Sequence, residues 1–252
     1  MAMTQNDPPP FEILNPEASA PFLLVCDHAS NRIPIAWGDL GLERDALESH
    51  IAWDIGAGAL TRRLSALLDA PAVLAGYSRI FIDGNRAPDD PASILEQSDG
   101  ITVAGNREVG AAEAARRAEI ALYPYHDAVE RTLDERAGGT RDPALVCIHS
   151  FTPVFDSAVR PWHVGVLWNR DERTARSLLE RLRREDDLVV GANEPYDGRE
   201  IMGYTASRHG ETRGLPHVII EVRQNEIDTR EKVEVWAARL AAALREVLGS
   251  DP

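Results

Sequence analysis

The chain has 252 residues, enough for one large α/β domain with a substantial core. Hydrophobic residues make up 44% and charged residues 27%, an ordinary soluble composition, and no apolar stretch approaches the length of a transmembrane helix. The net charge of -14 argues against a general affinity for nucleic acid, whose phosphates it would repel, while leaving room for a local cationic pocket.

Residues 1–20 include the run Pro8-Pro9-Pro10, which forbids helix, and read as an extended lead-in. The segment has neither a basic start nor an apolar stretch of secretory type, so a cytoplasmic protein is expected. Phe22-Leu-Leu-Val-Cys26 is a short apolar run that reads as a buried strand. Apolar residues at helical spacing predict a helix from Glu43 to Leu68. Ala72–Ala75 and Arg79–Asp83 read as two strands separated by a turn at Gly76. Residues 87–110, rich in Pro, Asp, Ser and Gly, read as a long loop, of a length that is often functional in a compact domain. An alanine- and glutamate-rich helix follows over 111–137, ended by Gly138-Gly139. Further strands are expected at Ala144–Ile148, His163–Trp168, Asp187–Val190 and His217–Val222, with helices over 171–185 and 229–248. This alternation predicts a largely parallel sheet with helices on both faces. No internal repeat or wide linker divides the chain, so 21–250 is taken as one domain. Cys26 and Cys147 sit inside apolar runs and are expected to be buried free thiols.

Three of the most apolar strands deliver unusual side chains at or near their carboxyl ends: Asp27 and His28, then His149 and Ser150, then Glu221 and Arg223. In open parallel sheets the ligand crevice lies at that edge. Two histidines and a carboxylate there point to zinc, whose hydrolytic sites hold three protein ligands and leave a position for water. On this reading His28 and His149 are ligands and Glu221 is the general base. Asn31, three residues after His28, stands where a glutamate would complete a common zinc pattern, and a neutral amide is a poor ligand. Asp54 is therefore the candidate third ligand, with Asp27 as the alternative. Arg79 is suited to polarising the scissile carbonyl. Asn85 and Arg86 are suited to binding a substrate carboxylate, with Asp83 holding an arginine in place. Asn31, Ser150 and Arg223 are added as substrate-facing residues. Tyr125-His126 reads as a helix-surface pair, with substrate contact as the alternative, and His163 as lying at the opposite edge of the sheet. Gly203–His209 is polar enough to form a closing lid.

At these residues the sequence resembles the N-formylglutamate amidohydrolase family, over residues 20 to 245. The likeness rests on Leu-Val-Cys-Asp-His-Ala-Ser-Asn-Arg-Ile-Pro, Ala-Trp-Asp-Ile-Gly, Tyr-Ser-Arg-Ile-Phe-Ile-Asp-Gly-Asn-Arg, Tyr-Pro-Tyr-His126, Ile-His-Ser-Phe-Thr-Pro, Arg160-Pro-Trp-His-Val-Gly-Val-Leu-Trp-Asn and Ile-Glu-Val-Arg-Gln224. The resemblance implies kinship with zinc carboxypeptidases and aspartoacylases, and a three-layer α/β/α, phosphorylase/hydrolase-like fold with a mostly parallel mixed sheet. It also implies hydrolysis of N-formyl-L-glutamate, or a close N-acyl acidic amino acid, to formate and the free amino acid, as in histidine breakdown. By the same resemblance His28 and His149 bind Zn2+, Asp83-Gly-Asn85-Arg86 takes the substrate carboxylate, and Glu221 is the base. Asn31 departs from the carboxypeptidase-like pattern. The expected partner is a small-molecule N-acyl amino acid, with no nucleic acid and no membrane, for a monomer or homo-oligomer. Competing readings are a non-catalytic binder of acidic amino acids, an aspartoacylase-like deacylase, and metal-free hydrolysis by Ser150 or Cys26. The last lacks the elbow that presents such nucleophiles.

Overall fold

Residues 7–138, 142–200 and 203–249 are described in the computed structural model. Gly139, expected at a helix end, lies outside them. Seven strands form the central sheet: β1 (Phe11–Leu14), β2 (Phe22–Cys26), β3 (Ala72–Ala75), β4 (Ala144–Phe151), β5 (Val164–Leu167), β6 (Val190–Ala192) and β7 (His217–Arg223). Their spatial order is β1-β3-β2-β4-β7-β5-β6. The middle four are parallel; β1 and β5 pair antiparallel with their neighbours, and β6 runs with β5. The extended lead-in therefore supplies an edge strand.

The principal helices are α1 (Ala57–Leu68), α2 (Ala111–Arg117), α3 (Tyr123–Asp134), α4 (Arg173–Leu182) and α5 (Arg230–Leu248). In α5, Thr229 caps the first turn by accepting from the Lys232 N–H. Val233, Trp236, Ala237, Leu240 and Leu244 recur at helical spacing and are buried. Alternation along the strands splits the core into two layers. Leu24, Cys26, Val146, Ile148 and Ile220 pack under α1, α4 and α5, whereas Val25, Val73, Leu145 and Cys147 pack under α3. The architecture is the expected α/β/α sandwich on a mostly parallel mixed sheet. Both cysteines are buried and free, as expected.

Several elements differ from the sequence expectation. The helix expected over 43–68 is a single turn at Arg44–Leu47, an irregular stretch, and then α1. Ile51 and Ala52, read as part of the helical pattern, instead pack in a separate apolar cluster. Meanwhile the Asp54 N–H donates to the His28 carbonyl at 3.0 Å, which pulls the chain across the sheet edge. Arg79–Asp83 is not a strand but a run of turns, with Phe81 N–H bonded to Ser78 O at 3.0 Å. Its apolarity comes from burial of Ile80, Phe81 and Ile82 in that same cluster. The carbonyls left without strand partners are satisfied by side chains: Asn106 Nδ2 donates to Ile80 O and Arg117 Nη1 to Phe81 O. The helix over 111–137 contains a π-helical turn at Ala118–Leu122. The short strand near 187 is shifted to Val190–Ala192.

Gly165, in the middle of β5, is required by close approach. A Cβ there would stand 1.9 Å from the Glu194 backbone oxygen. Gly165→Ala is expected to cost about 1–3 kcal/mol through this overpacking, read as a lower Tm by calorimetry.

Candidate active site

From β2 the chain passes first to β3 on one side and later to β4 on the other, so a crevice opens at the carboxyl ends of β2 and β4. Here lies a cavity of about 230 Å³ lined by His28, Asp54, Arg79, Asn85, Arg86, His149, Ser150 and Glu221. Tyr196, Gly203 and the apolar Leu167 and Ile219 complete its walls. Its size suits a molecule at the small end of the ligand range. Glu221 is in register with His149 on one side and Gly165 on the other. The two functional side chains therefore share one face of the sheet, and the place a side chain at 165 would take is filled by the Glu194 backbone oxygen.

His28, Asp54 and His149 offer ligand atoms that all lie within 4.8 Å of one another. The His28 Nε2 faces Asp83 Oδ1 at 2.7 Å, and its Nδ1 stands 3.3 Å from Asp54 Oδ2. The His149 Nδ1 faces the same Asp54 oxygen at 2.8 Å, and its Nε2 stands 3.0 Å from Asp27 Oδ2. His28 Nδ1, His149 Nε2, Asp27 Oδ2 and Glu221 Oε2 are buried without a hydrogen bond. The 3.3 Å and 3.0 Å pairs are thus close in distance but lack hydrogen-bond alignment. Two imidazoles converge on one carboxylate, and the outer nitrogen of each faces a further carboxylate. That is the usual support of metal-ligating histidines, and this donor set fits a divalent metal ion.

The charges point the same way. Asp27, Asp54, Asp83 and Glu221 are all buried, and the partly exposed guanidinium of Arg79 pairs with Asp54 and Asp83. Burial opposes ionisation of Asp83, but Arg79 and His28 outweigh it and hold the carboxyl well below the usual range. Asp54 is likewise depressed, its burial overcome by His28 and His149. Burial disfavours a charged His149 ring, yet Asp27 and Asp54 push its pKa well above that of free histidine. Glu221 moves the other way: burial, with the Asp54 charge adding, raises it to about 7 against the pull of His149. Burial and the Asp54 and Asp27 charges push the Cys26 thiol well up, so it is held as the neutral thiol.

Of the residues singled out in the sequence, His28, Asp54, His149, Glu221, Arg79, Asn85, Arg86 and Ser150 line one cavity. Asn31 and Arg223 do not line it. The Asn31 amide donates to Leu47 O at 2.9 Å and so pins the neighbouring turn. The Arg223 guanidinium is committed to Glu226 Oε1 at 2.8 Å, Asn225 Oδ1 and the carbonyls of Arg160 and Pro161. Tyr125 and His126 are not a surface pair; their exposures are 1% and 0%. Tyr125 Oη donates to Asp27 Oδ1 at 2.8 Å. His163 lies at the same end of the sheet as the cavity, because β5 is antiparallel to β7. Its Nδ1 accepts from the Val189 N–H, outside the cavity. Tyr196 was missed, and Gly203 was read only as the start of a lid. Tyr196 follows no strand in the sequence pattern, and its ring is brought in through Arg160, whose guanidinium lies 5.0 Å from the ring centroid.

The N-formylglutamate amidohydrolase family model matches residues 20–227 of the chain. The crystal structure of gene product Atu2144 from Agrobacterium tumefaciens superposes with a TM-score of 0.94 at 34% identity, covering 98% of this chain and 98% of that one. The crystal structure of N-formylglutamate amidohydrolase from Ralstonia eutropha JMP134 superposes with a TM-score of 0.73 at 21% identity, covering 95% of this chain and 97% of the other. At that identity the likeness bears on the fold. No curated protein matches the chain. By the extent of the family match, the chain belongs to the N-formylglutamate amidohydrolase family and is a hydrolase acting on an amide bond.

Proposed function

We propose that the protein hydrolyses N-formyl-L-glutamate, or a close N-acyl acidic amino acid, with a divalent metal, zinc in the first instance, held by His28, Asp54 and His149. The observation that carries this reading is the convergence of two imidazoles and a carboxylate within 4.8 Å beside a buried Glu221 of raised pKa. A metal held by His28, Asp54 and His149 would supply Lewis-acid chemistry, lowering the pKa of a water and polarising the amide carbonyl. Glu221, buried beside the three ligands and lining the cavity, takes the proton of the attacking water. The same carboxyl then delivers that proton to the leaving nitrogen as the C–N bond breaks, giving formate and the free amino acid. Arg79, anchored on Asp83 at 3.0 Å, aims positive charge at the carbonyl oxygen as negative charge develops. The reaction is that of histidine breakdown, which fits a cytoplasmic enzyme. No helix among the described residues is long and apolar enough to cross a membrane.

Arg86 lines the cavity, and its guanidinium has no hydrogen bond or ion pair to a described residue. On this reading it receives the substrate carboxylate, with Asn85 beside it. Arg86→Ala is expected to raise KM by about 10–100-fold, the worth of a lost charge-assisted hydrogen-bond pair, with kcat changed far less. The function itself is tested by formate release from N-formyl-L-glutamate, with acetate release from N-acetyl-L-aspartate as the comparison. Absence of formate from every N-formyl amino acid tried would refute the substrate assignment.

A further inference from the structure

Behind the cavity lie two imidazoles that the hydrolytic reading does not use. His126, on α3, and His209, in the π-helical turn Ala206–Glu211, stack with ring centroids 5.2 Å apart and planes 20° apart. Both are buried. His126 Nε2 is 2.9 Å from the Gly84 carbonyl oxygen, and His126 Nδ1 is 2.9 Å from His209 Nε2.

We propose that His126 and His209 are positioning residues for the substrate carboxylate, acting through the Gly84 carbonyl to fix Asn85 and Arg86.

The order of protons follows from the acceptor at one end. A carbonyl oxygen only accepts, so His126 Nε2 carries the proton. In the neutral ring Nδ1 is then a lone pair, and His209 Nε2 must be the donor to it. The pair is a one-way strut, His209 to His126 to Gly84. A proton added to His126 would set two N–H groups face to face. Burial keeps both rings neutral: it lowers His126, and it lowers His209 to about 3 with the charges of His126 and Arg208 adding. Two buried imidazoles cost more to desolvate than two apolar side chains of similar volume, so a directional contact must compensate them.

Gly84 joins Asp83, which faces His28 and Arg79, to Asn85, which lines the cavity. The segment carrying His209 grips Asn85 from the other side. The Thr205 N–H donates to Asn85 Oδ1 and the Tyr204 N–H to Asn85 O, each at 3.1 Å. Gly203 permits this approach, because a Cβ there would stand 2.4 Å from Asn85 Nδ2. The segment read in the sequence as a lid is thus tied down beneath the loop. The turn at 83–86 is clamped by His126 below and by 204–205 at its flank, and Arg86, whose guanidinium has no partner among the described residues, follows directly.

This inference rests on the reading that Asn85 and Arg86 receive a carboxylate. The test compares His209→Leu, which removes the donor, with His209→Gln, whose amide restores one, in the metal-loaded enzyme. His209→Leu is expected to raise KM for N-formyl-L-glutamate by about tenfold with kcat within about threefold, while His209→Gln stays near wild type. With the diamide of N-formyl-L-glutamate, which offers no carboxylate, wild type and His209→Leu are expected to match. An unchanged KM in His209→Leu, or a fall in kcat alone, overturns the proposal. Imidazole 15N spectra of the wild type provide a readout that needs neither substrate nor variant. Both rings are expected as neutral Nε2–H tautomers, and a Nδ1–H or cationic His126 overturns the proposal. If wild type releases no formate, the functional reading fails separately, and the spectra still decide the strut.

Discussion

Glu221→Gln is expected to lower kcat by about 10²–10⁴-fold, the range supplied by a positioned proton carrier, with metal content and KM close to wild type. The amide has the shape of the carboxyl but no basic oxygen. Glu221 lines the cavity, and its Oε2 is buried with no hydrogen bond to a structural partner among the described residues. Its pKa of about 7 reflects burial first and the neighbouring Asp54 charge second. An acid raised in the folded state binds more protons folded than unfolded between about 4.5 and 7, so the stability it lends falls as pH rises through that window. Above it the ionised group opposes folding. Glu221→Gln is therefore also expected to raise the Tm of the metal-free protein at pH 8. Formate release, metal analysis and calorimetry check the three parts. A kcat within about tenfold of wild type would remove Glu221 from the proton path.

Chelation is expected to abolish formate release, and one equivalent of zinc to restore it. In His149→Ala the same equivalent should fail to restore activity. This variant carries a stability signature as well. The His149 ring faces Asp54 Oδ2 at 2.8 Å and Asp27 Oδ2 at 3.0 Å, all three groups buried. Removing it leaves buried carboxylates uncompensated, which costs about 3–5 kcal/mol, or a fall in Tm of about 10 °C for a chain of this size. Asp83→Asn, which weakens the support behind His28, is expected to lower metal affinity by about 10–100-fold without removing a ligand. Full activity in the presence of chelator, or zinc rescue of His149→Ala, would contradict the assignment.

Much of this arrangement is legible in the sequence for one physical reason. Strands buried on both faces write themselves as apolar runs, and a parallel sheet gathers whatever follows them at one edge. Phe22–Cys26, Ala144–Ile148 and His217–Val222 therefore bring together His28, His149 and Glu221 without any knowledge of the spaces between. What was illegible depends on direction and on tertiary contacts. Nothing local marks β5 as antiparallel, so His163 was assigned to the wrong end of the sheet. Arg79–Asp83 has the composition of a strand because it is buried, but its carbonyls are satisfied by Asn106 and Arg117, far along the chain. The helix across 43–68 fails because Asp54 is drawn to two histidines, which no propensity records. His126 is buried on the inward side of α3, where its neighbour in space, His209, comes from a segment 83 residues away.

Anomalous diffraction at the zinc edge, from crystals of the protein as purified, tests the central claim most directly. The expected result is a single strong peak in contact with His28 Nδ1, Asp54 and His149, beside Glu221. Zinc bound elsewhere at full occupancy, with those three side chains turned away from one another, would contradict it.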